Sequence, residues 1–427
     1  MARLAGPGQA KVPDAAMESA PVNLARSIPA AAGLAAVWLM WVTTAQAQPS
    51  LRIGASLSQS GPYAELGTPV RLGYQLCVKH ANERGGLLGR RLDLTVEDDR
   101  SDPAVGAHIY ENLIGRQRVD AVFSPYSTPI TDAVGDVIEK HRMPMIAVAA
   151  SASIFRKGRK FLFQLLSPAE TYAEGLTDLA AKRGLRTVAI IHEDTLFPKT
   201  IASSTEDFAR KRGLKVVLSE AYPKGMTDFS TLLAKVRASG AEVLVAGTYF
   251  EDSVAITKQM RALDVNPKMF VVTVGVVTEK FYEALGRDAE FVYGTAQWEP
   301  ALVTARAGGL IPVAPQYAGI REFVDAHRAE YPGAPLNHFS AWGYGGCQVL
   351  LEAVRRAGSL NAARVREAIL GMDFTSVFGT FRVDRDGVQV GHKMLLFQWQ
   401  AGQKALVWPD ELAPMPPRLP TPPWSQR

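Results

Sequence analysis

The sequence predicts an α/β protein of two doubly wound lobes, each a parallel sheet with helices on both faces. Three observations carry this. From Leu51 to Thr273, apolar runs of strand length alternate with amphipathic helical patterns, the signature of βαβ units. About nine such strands exceed what one open sheet carries comfortably, so the chain divides in two. At 427 residues, 47% hydrophobic and 21% charged, it is long enough for two cores of ordinary composition.

The first 47 residues are a different material. Arg26 precedes an apolar stretch, Ile28 to Val42, that ends in Ala45-Gln46-Ala47. This is the layout of an export signal, too short and too Ala-rich for a membrane span. Cleavage is expected after Ala47, with Met17 a second candidate start and the remainder periplasmic.

The elements then follow in order. Leu51–Leu57 is a strand running into Ser58–Tyr63. Thr68 as N-cap and Pro69 at the first helical position open a helix that Gly85-Gly86 ends. Leu92–Val96 is a strand, and Asp102-Pro103 caps the next helix. Val119–Phe123 is a strand that stops at Ser124-Pro125-Tyr126-Ser127-Thr128, where a helix begins. Met145–Val148 is another strand, ending at Ala150-Ser151-Ala152-Ser153. Helix–strand pairs continue to Thr273, and a strand over 292–297 reaches Trp298. A Gly/Ala-rich linker runs to Pro315 and is followed by helices over 317–330, 339–356 and 362–370. The rest reads as β-hairpins, with Asp386-Gly387 as a turn, and the Pro-rich tail 410–427 is expected to be loose.

Chemistry-bearing motifs are sparse. The sequence lacks a G-x-S-x-G elbow, a Walker A loop and an H-E-x-x-H pair. No catalysis, metal or cofactor is therefore expected. Asp98, Asp99 and Asp102 lack calcium-loop spacing and read as turn and cap residues. A charge of +5 with basic and acidic residues interspersed argues against nucleic acid. An exported chain permits a disulfide between Cys77 and Cys347. Both cysteines sit in helical patterns, and buried free thiols are the favoured reading.

A binding site is legible at the strand ends. In a parallel sheet, loops at the carboxyl ends of strands bind ligands. The Ser127-Thr128 and Ala150-Ser151 loops offer hydroxyls and backbone N–H groups, and the first opens a helix, which suits an anion. Tyr63, Tyr126, Phe197, Tyr249 and Trp298 each follow a predicted strand. Small-molecule sites favour such aromatics with a few polar groups.

The ordered set IGASLSQSGPYAELG, ANERGGLLGRRLDLTVEDDRSDP, SPYST, VAIIHED and VAGTYFED resembles the type I periplasmic substrate-binding proteins of ABC transporters, and within them the branched-chain amino acid (Leu/Ile/Val)-binding family. The likeness covers Leu51 to about Pro409. It implies two lobes joined by three crossovers, near Leu166, Trp298 and Phe378. The N-terminal lobe would comprise 51–166 with 299–378, and the C-terminal lobe 167–298 with 379–409. It also implies a monomer that traps a small ligand and passes it to a membrane permease, or alternatively presents its closed form to a receptor. Ser127, Thr128, Ala150 and Ser151 would anchor a ligand carboxylate, and Phe197 and Tyr249 would close over it. Amino-acid-binding members place an acidic residue where this chain has Val274. The resemblance therefore implies an anionic or amide-bearing ligand without an α-amino group, unless Glu251 or Glu299 supplies the missing carboxylate.

Overall fold

Two sheets carry the fold in a computed structural model that describes residues 48–303, 317, 319–413 and 415–427. The predicted export signal and the linker stretch 304–316 lie outside the described residues. The chain begins β1 (Leu51–Leu57), α1 (Ala64–Glu83), β2 (Leu92–Asp98), α2 (Pro103–Glu111), β3 (Ala121–Val122), α3 (Thr128–His141), β4 (Met145–Ala147) and β5 (Leu162–Gln164). β1 lies between β2 and β3, all parallel. β4 pairs with β5, and a parallel bridge from Tyr126 to Val148 joins the two sets.

The second lobe follows as α4 (Ala173–Lys182), β6 (Thr187–Glu193), α5 (Leu196–Lys211), β7 (Lys215–Tyr222), α6 (Ser230–Ser239), β8 (Val243–Gly247), α7 (Phe250–Ala262), β9 (Met269–Val272), α8 (Glu279–Leu285) and β10 (Tyr293–Ala296). Then come α9 (Ile320–Glu330), α10 (His338–Ala357), α11 (Ala362–Leu370), β11 (Phe374–Ser376), β12 (Gly379–Phe381), β13 (Leu395–Gln400) and β14 (Gln403–Trp408). The second sheet runs β14-β13-β10-β9-β8-β6-β7. β8, β9, β10 and β13 are buried along their whole length, as central strands covered on both faces must be.

Several expectations need correction. α1 starts at Ala64, so Thr68 lies inside it and does not cap it. The start moves forward because the Tyr63 carbonyl accepts from Gly67 N at 2.8 Å, which closes a first turn ahead of Pro69. Asp386-Gly387 does turn the chain, but only one bridge, Val383 to Gln389, flanks it. β12 pairs with β11 instead, and the longer hairpin is β13–β14, turning at Ala401 and Gly402 (φ 53° and 75°). The tail is docked and not loose. Thr421 N donates to Lys268 O, the Trp424 indole donates to Val265 O, and the Arg427 guanidinium lies 3.4 Å over the Trp424 ring.

The cysteines are not free thiols: Cys77 and Cys347 form a disulfide between α1 and α10. These helices touch at two glycines. A Cβ on Gly343 would stand 2.1 Å from Val70 O, and one on Gly73 2.1 Å from Ser340 O. Backbone-to-backbone approach brings the two Cα atoms of the bridge to 6.3 Å.

Candidate ligand cleft

The strand-end loops of both lobes wall one cavity. Tyr126, Ser127 and Thr128 follow β3, Val148, Ala149 and Ala150 follow β4, and Leu166 follows β5. From the second lobe come Tyr172 ahead of α4, Phe197 in the first turn of α5, Tyr249 before α7 and Val274 after β9. Trp342 of α10 completes the wall. The enclosed space is about 20 Å³, room for roughly one water. A six-membered ring needs several times that, so the lobes must part to admit one. A larger groove of about 560 Å³ beside α11 is open to solvent and holds no strand-end residue.

Aromatic rings form a chain around the cavity and across both lobes. Tyr172 meets Phe197 at 5.6 Å between centroids, Phe197 meets Tyr249 at 6.0 Å, and Tyr249 meets Tyr63 at 4.9 Å. Tyr63 meets Tyr126 edge-on at 6.0 Å, and Tyr126 stacks on Trp342 at 6.3 Å. Behind Trp342, His338 stacks at 4.4 Å, and burial pushes its imidazole well below the usual range, so it is neutral.

The polar atoms in the wall are hydrogen-bond donors on uncharged groups. Ser127 Oγ and Trp342 Nε1 are buried without a hydrogen-bond partner among the described residues. Ser127 takes φ 84° and ψ 148° at the N-cap of α3, close to a region normally left to glycine, and its hydroxyl does not cap the helix. This is strain of about 1–3 kcal/mol held where a ligand would sit. Burial and the neighbouring phenols Tyr63 and Tyr172 raise the Tyr126 hydroxyl far above its ordinary value, so it stays protonated.

Carboxylates stand back from the wall. Glu299 is 1% exposed, and its Oε2 lies 2.8 Å from Lys404 Nζ. Burial pushes its carboxyl up against the pull of that lysine. Glu251 is exposed. Neither replaces the acid missing at Val274. Glu193 and Asp252 lie near Tyr63 and Tyr249. Burial pushes Asp252 up to about 6 against the pull of the Tyr222 hydroxyl, and the Glu193 charge adds to the rise. The cluster of Asp98, Asp99 and Asp102 is filled by protein donors: Ser60, Gln59 and Arg100 on the first, Ser56, Ser58 and Ser101 on the second, and the α2 N-terminus on the third.

Of the sequence-derived site residues, Ser127, Thr128, Ala150, Phe197, Tyr249 and Val274 meet at the cavity. Tyr63 stands one ring behind it. Ser151 is fully buried behind the wall, where its Oγ accepts from Thr200 Oγ1 of α5 at 3.1 Å. Trp298 is elsewhere: its indole donates to Val377 O at 3.0 Å and packs on Phe323, because the chain has already turned into the crossover there. Leu166, Tyr172 and Trp342 were not legible as site residues. Tyr172 and Trp342 fall within helical patterns and carry no strand-end signal.

Two lobes that offer strand-end loops to a shared cavity define a clamp for a small solute. The chain belongs to the periplasmic binding protein family, whose model matches residues 50–404. Members of that family are solute-binding proteins, and the chain is a binding protein rather than an enzyme. Among its relatives is the Leu/Ile/Val-binding protein homolog 7 of Brucella abortus (strain 2308), 27% identical over 393 residues, covering 88% of this chain and 96% of the relative. A similar solved structure is the branched-chain amino acid transporter substrate-binding protein of Streptococcus pneumoniae with isoleucine (TM-score 0.73, 23% identity, 84% of this chain and 100% of that one). Another is a solute-binding protein of R. palustris with benzoate (TM-score 0.72, 18% identity, 84% and 95%).

Proposed function

We propose that this chain captures a small carboxylate- or amide-bearing organic ligand between its lobes and delivers it, as a monomer, to an ABC permease. The carrying observation is the cavity wall, which is aromatic on both lobes with uncharged donors at Ser127 and Trp342 and an apolar Val274. An α-ammonium group buried there would lack a counter-charge, at a cost of several kcal/mol. A flat aromatic carboxylate suits the wall best, and the fold holds such a ligand, benzoate, in the R. palustris protein. Ser127, Thr128 and Ala150 would take the carboxylate, and Phe197, Tyr249 and Val274 the body. The Cys77–Cys347 bridge favours an oxidising compartment, in line with export after cleavage at Ala47.

We assign the lobes as 51–166 with 299–391 and 167–298 with 393–427. The third crossing falls near His392 in this reading, later than Phe378, because Gly387 O accepts from Gln164 N beside β5 while β13 pairs with β10. A thermal-shift panel of benzoate, phenylpyruvate, 2-oxoisocaproate, butyramide and leucine tests the ligand class, since binding to the native state raises Tm. Stabilisation by the acids or the amide, with none by leucine, is the expected result. Tight leucine binding by calorimetry would overturn it.

A further inference from the structure

The three crossings between the lobes meet in one hydrogen-bonded chain, and that chain ends on the cavity wall. At the first crossing, the Ser167 backbone N–H donates to Gln297 Oε1 of the second at 2.6 Å. The Gln297 amide nitrogen donates to the Tyr172 hydroxyl. Ser167 Oγ lies 2.8 Å from Nδ1 of His392, at the third crossing, and His392 Nε2 lies 3.0 Å from Phe378 O. Ser167 and Gln297 are fully buried.

Every proton in this chain has a determined place. A carbonyl only accepts, so His392 Nε2 carries hydrogen and donates to Phe378 O. Burial pushes the His392 imidazole down to about 4, so the ring is neutral and Nδ1 accepts from Ser167 Oγ. A backbone N–H only donates, so the Gln297 oxygen faces Ser167 and its NH₂ faces Tyr172. The Tyr172 oxygen is thus already an acceptor, and its own proton is directed elsewhere. No acceptor for that proton is present among the described residues, and the residue lines the cavity.

We propose that Tyr172 is a specificity-determining donor, oriented by Gln297 and tied through Ser167 and His392 to all three crossings, so that a ligand oxygen accepting from it stabilises the closed hinge. The proposal rests on the reading of the cavity as the ligand site. It adds a chemical demand: the ligand atom beside Tyr172 must be an acceptor. An N–H there would meet a donor and leave both unsatisfied.

The test uses the exported chain with benzoate and benzamide as calorimetric probes. Tyr172→Phe should weaken benzoate binding about 10- to 100-fold, the range for a lost hydrogen bond to a charged group. It should also lower the melting temperature of the unliganded protein, because the buried Gln297 NH₂ loses its acceptor. Gln297→Glu presents two acceptors and turns the Tyr172 proton away from the cavity. It should shift preference from benzoate toward benzamide, whose NH₂ can donate to the phenol. Unchanged benzoate affinity in Tyr172→Phe would overturn the donor assignment. If the wild type binds neither probe, the ligand class is wrong, and hydrogen exchange of the unliganded protein decides the wiring. Ser167→Ala removes the hydroxyl on His392 and should raise exchange in segments 164–172 and 388–394 together. Gln297→Met removes the acceptor of the Ser167 N–H and should raise it in segments 164–172 and 292–299 together. A rise confined to the substituted residue's own segment overturns the link.

Discussion

Removing the bridge between α1 and α10 is the perturbation whose magnitude follows most directly from the structure. Cys77 and Cys347 are separated by 270 residues, so the bridge closes most of the described chain into one loop. In the chain-entropy model a loop of that length constrains the unfolded ensemble by about 5 kcal/mol, the upper end of what native disulfides contribute. Little of this should be lost to native-state distortion, because the Gly73 and Gly343 contacts hold the two helices together independently. The double variant Cys77→Ala/Cys347→Ala should therefore keep its fold and its ligand affinity while its urea midpoint falls sharply. Dithiothreitol should move the wild type to the same midpoint and leave the variant unmoved. The loss is read from the midpoint together with the slope m. A loss under about 1 kcal/mol would refute the reasoning, because it would mean that the unfolded chain gains little freedom when the bridge is cut.

Three further outcomes are expected. Gly343→Ala should destabilise by more than about 2 kcal/mol in urea unfolding, since its methyl meets backbone rather than a yielding side chain; a neutral result would mean that α1 and α10 slide apart freely. Asp252→Asn should raise Tm at pH 8 and leave it unchanged at pH 4. The native carboxyl titrates near 6 and the unfolded one near 4, so the wild-type group's contribution is full below pH 4 and lost as pH rises through 6; an equal gain at both pH values would contradict this. Val274→Asp should lower Tm at pH 7, by about 1–3 kcal/mol of stability, and let leucine recover part of the loss; no recovery would show that the cavity rejects α-amino acids by shape rather than by charge.

The parallel strands and the loops at their ends were legible because apolar runs that stop at Ser, Pro and Gly clusters mark both. Ser127, Thr128 and Ala150 had to follow apolar runs, and they do. The disulfide was not legible, because partner choice depends on a helix approach set by Gly73 and Gly343, which lie 270 residues apart, and no local pattern records that contact. Trp342 was hidden for a related reason. α10 is buried on nearly every side, so no stripe marks which residue faces the cavity. The tail was misread because proline content signals extended backbone and not whether that backbone finds a surface. Here Trp424 and Thr421 find one beside β9.

On the proposed site, the clamp's affinity and its selectivity would come from different parts of the molecule. Several contacts join the lobes without touching the cavity wall's polar atoms. Lys280 of α8 pairs with Glu65 of α1 at 2.5 Å, Thr200 meets Ser151 at 3.1 Å, and the Lys224 ammonium lies 5.2 Å over the Tyr63 ring. Each is worth roughly 1 kcal/mol or less in partly solvated surroundings. Together they lower the free energy of the closed form by about 2–3 kcal/mol whichever solute is inside. A contribution that is the same for every solute raises all affinities by one factor and separates none of them. Discrimination is left to groups that differ from one ligand to the next. In the proposed reading these are the Tyr172 hydroxyl, the unpartnered Ser127 hydroxyl and Trp342 indole, the apolar Val274, and the ring faces between them.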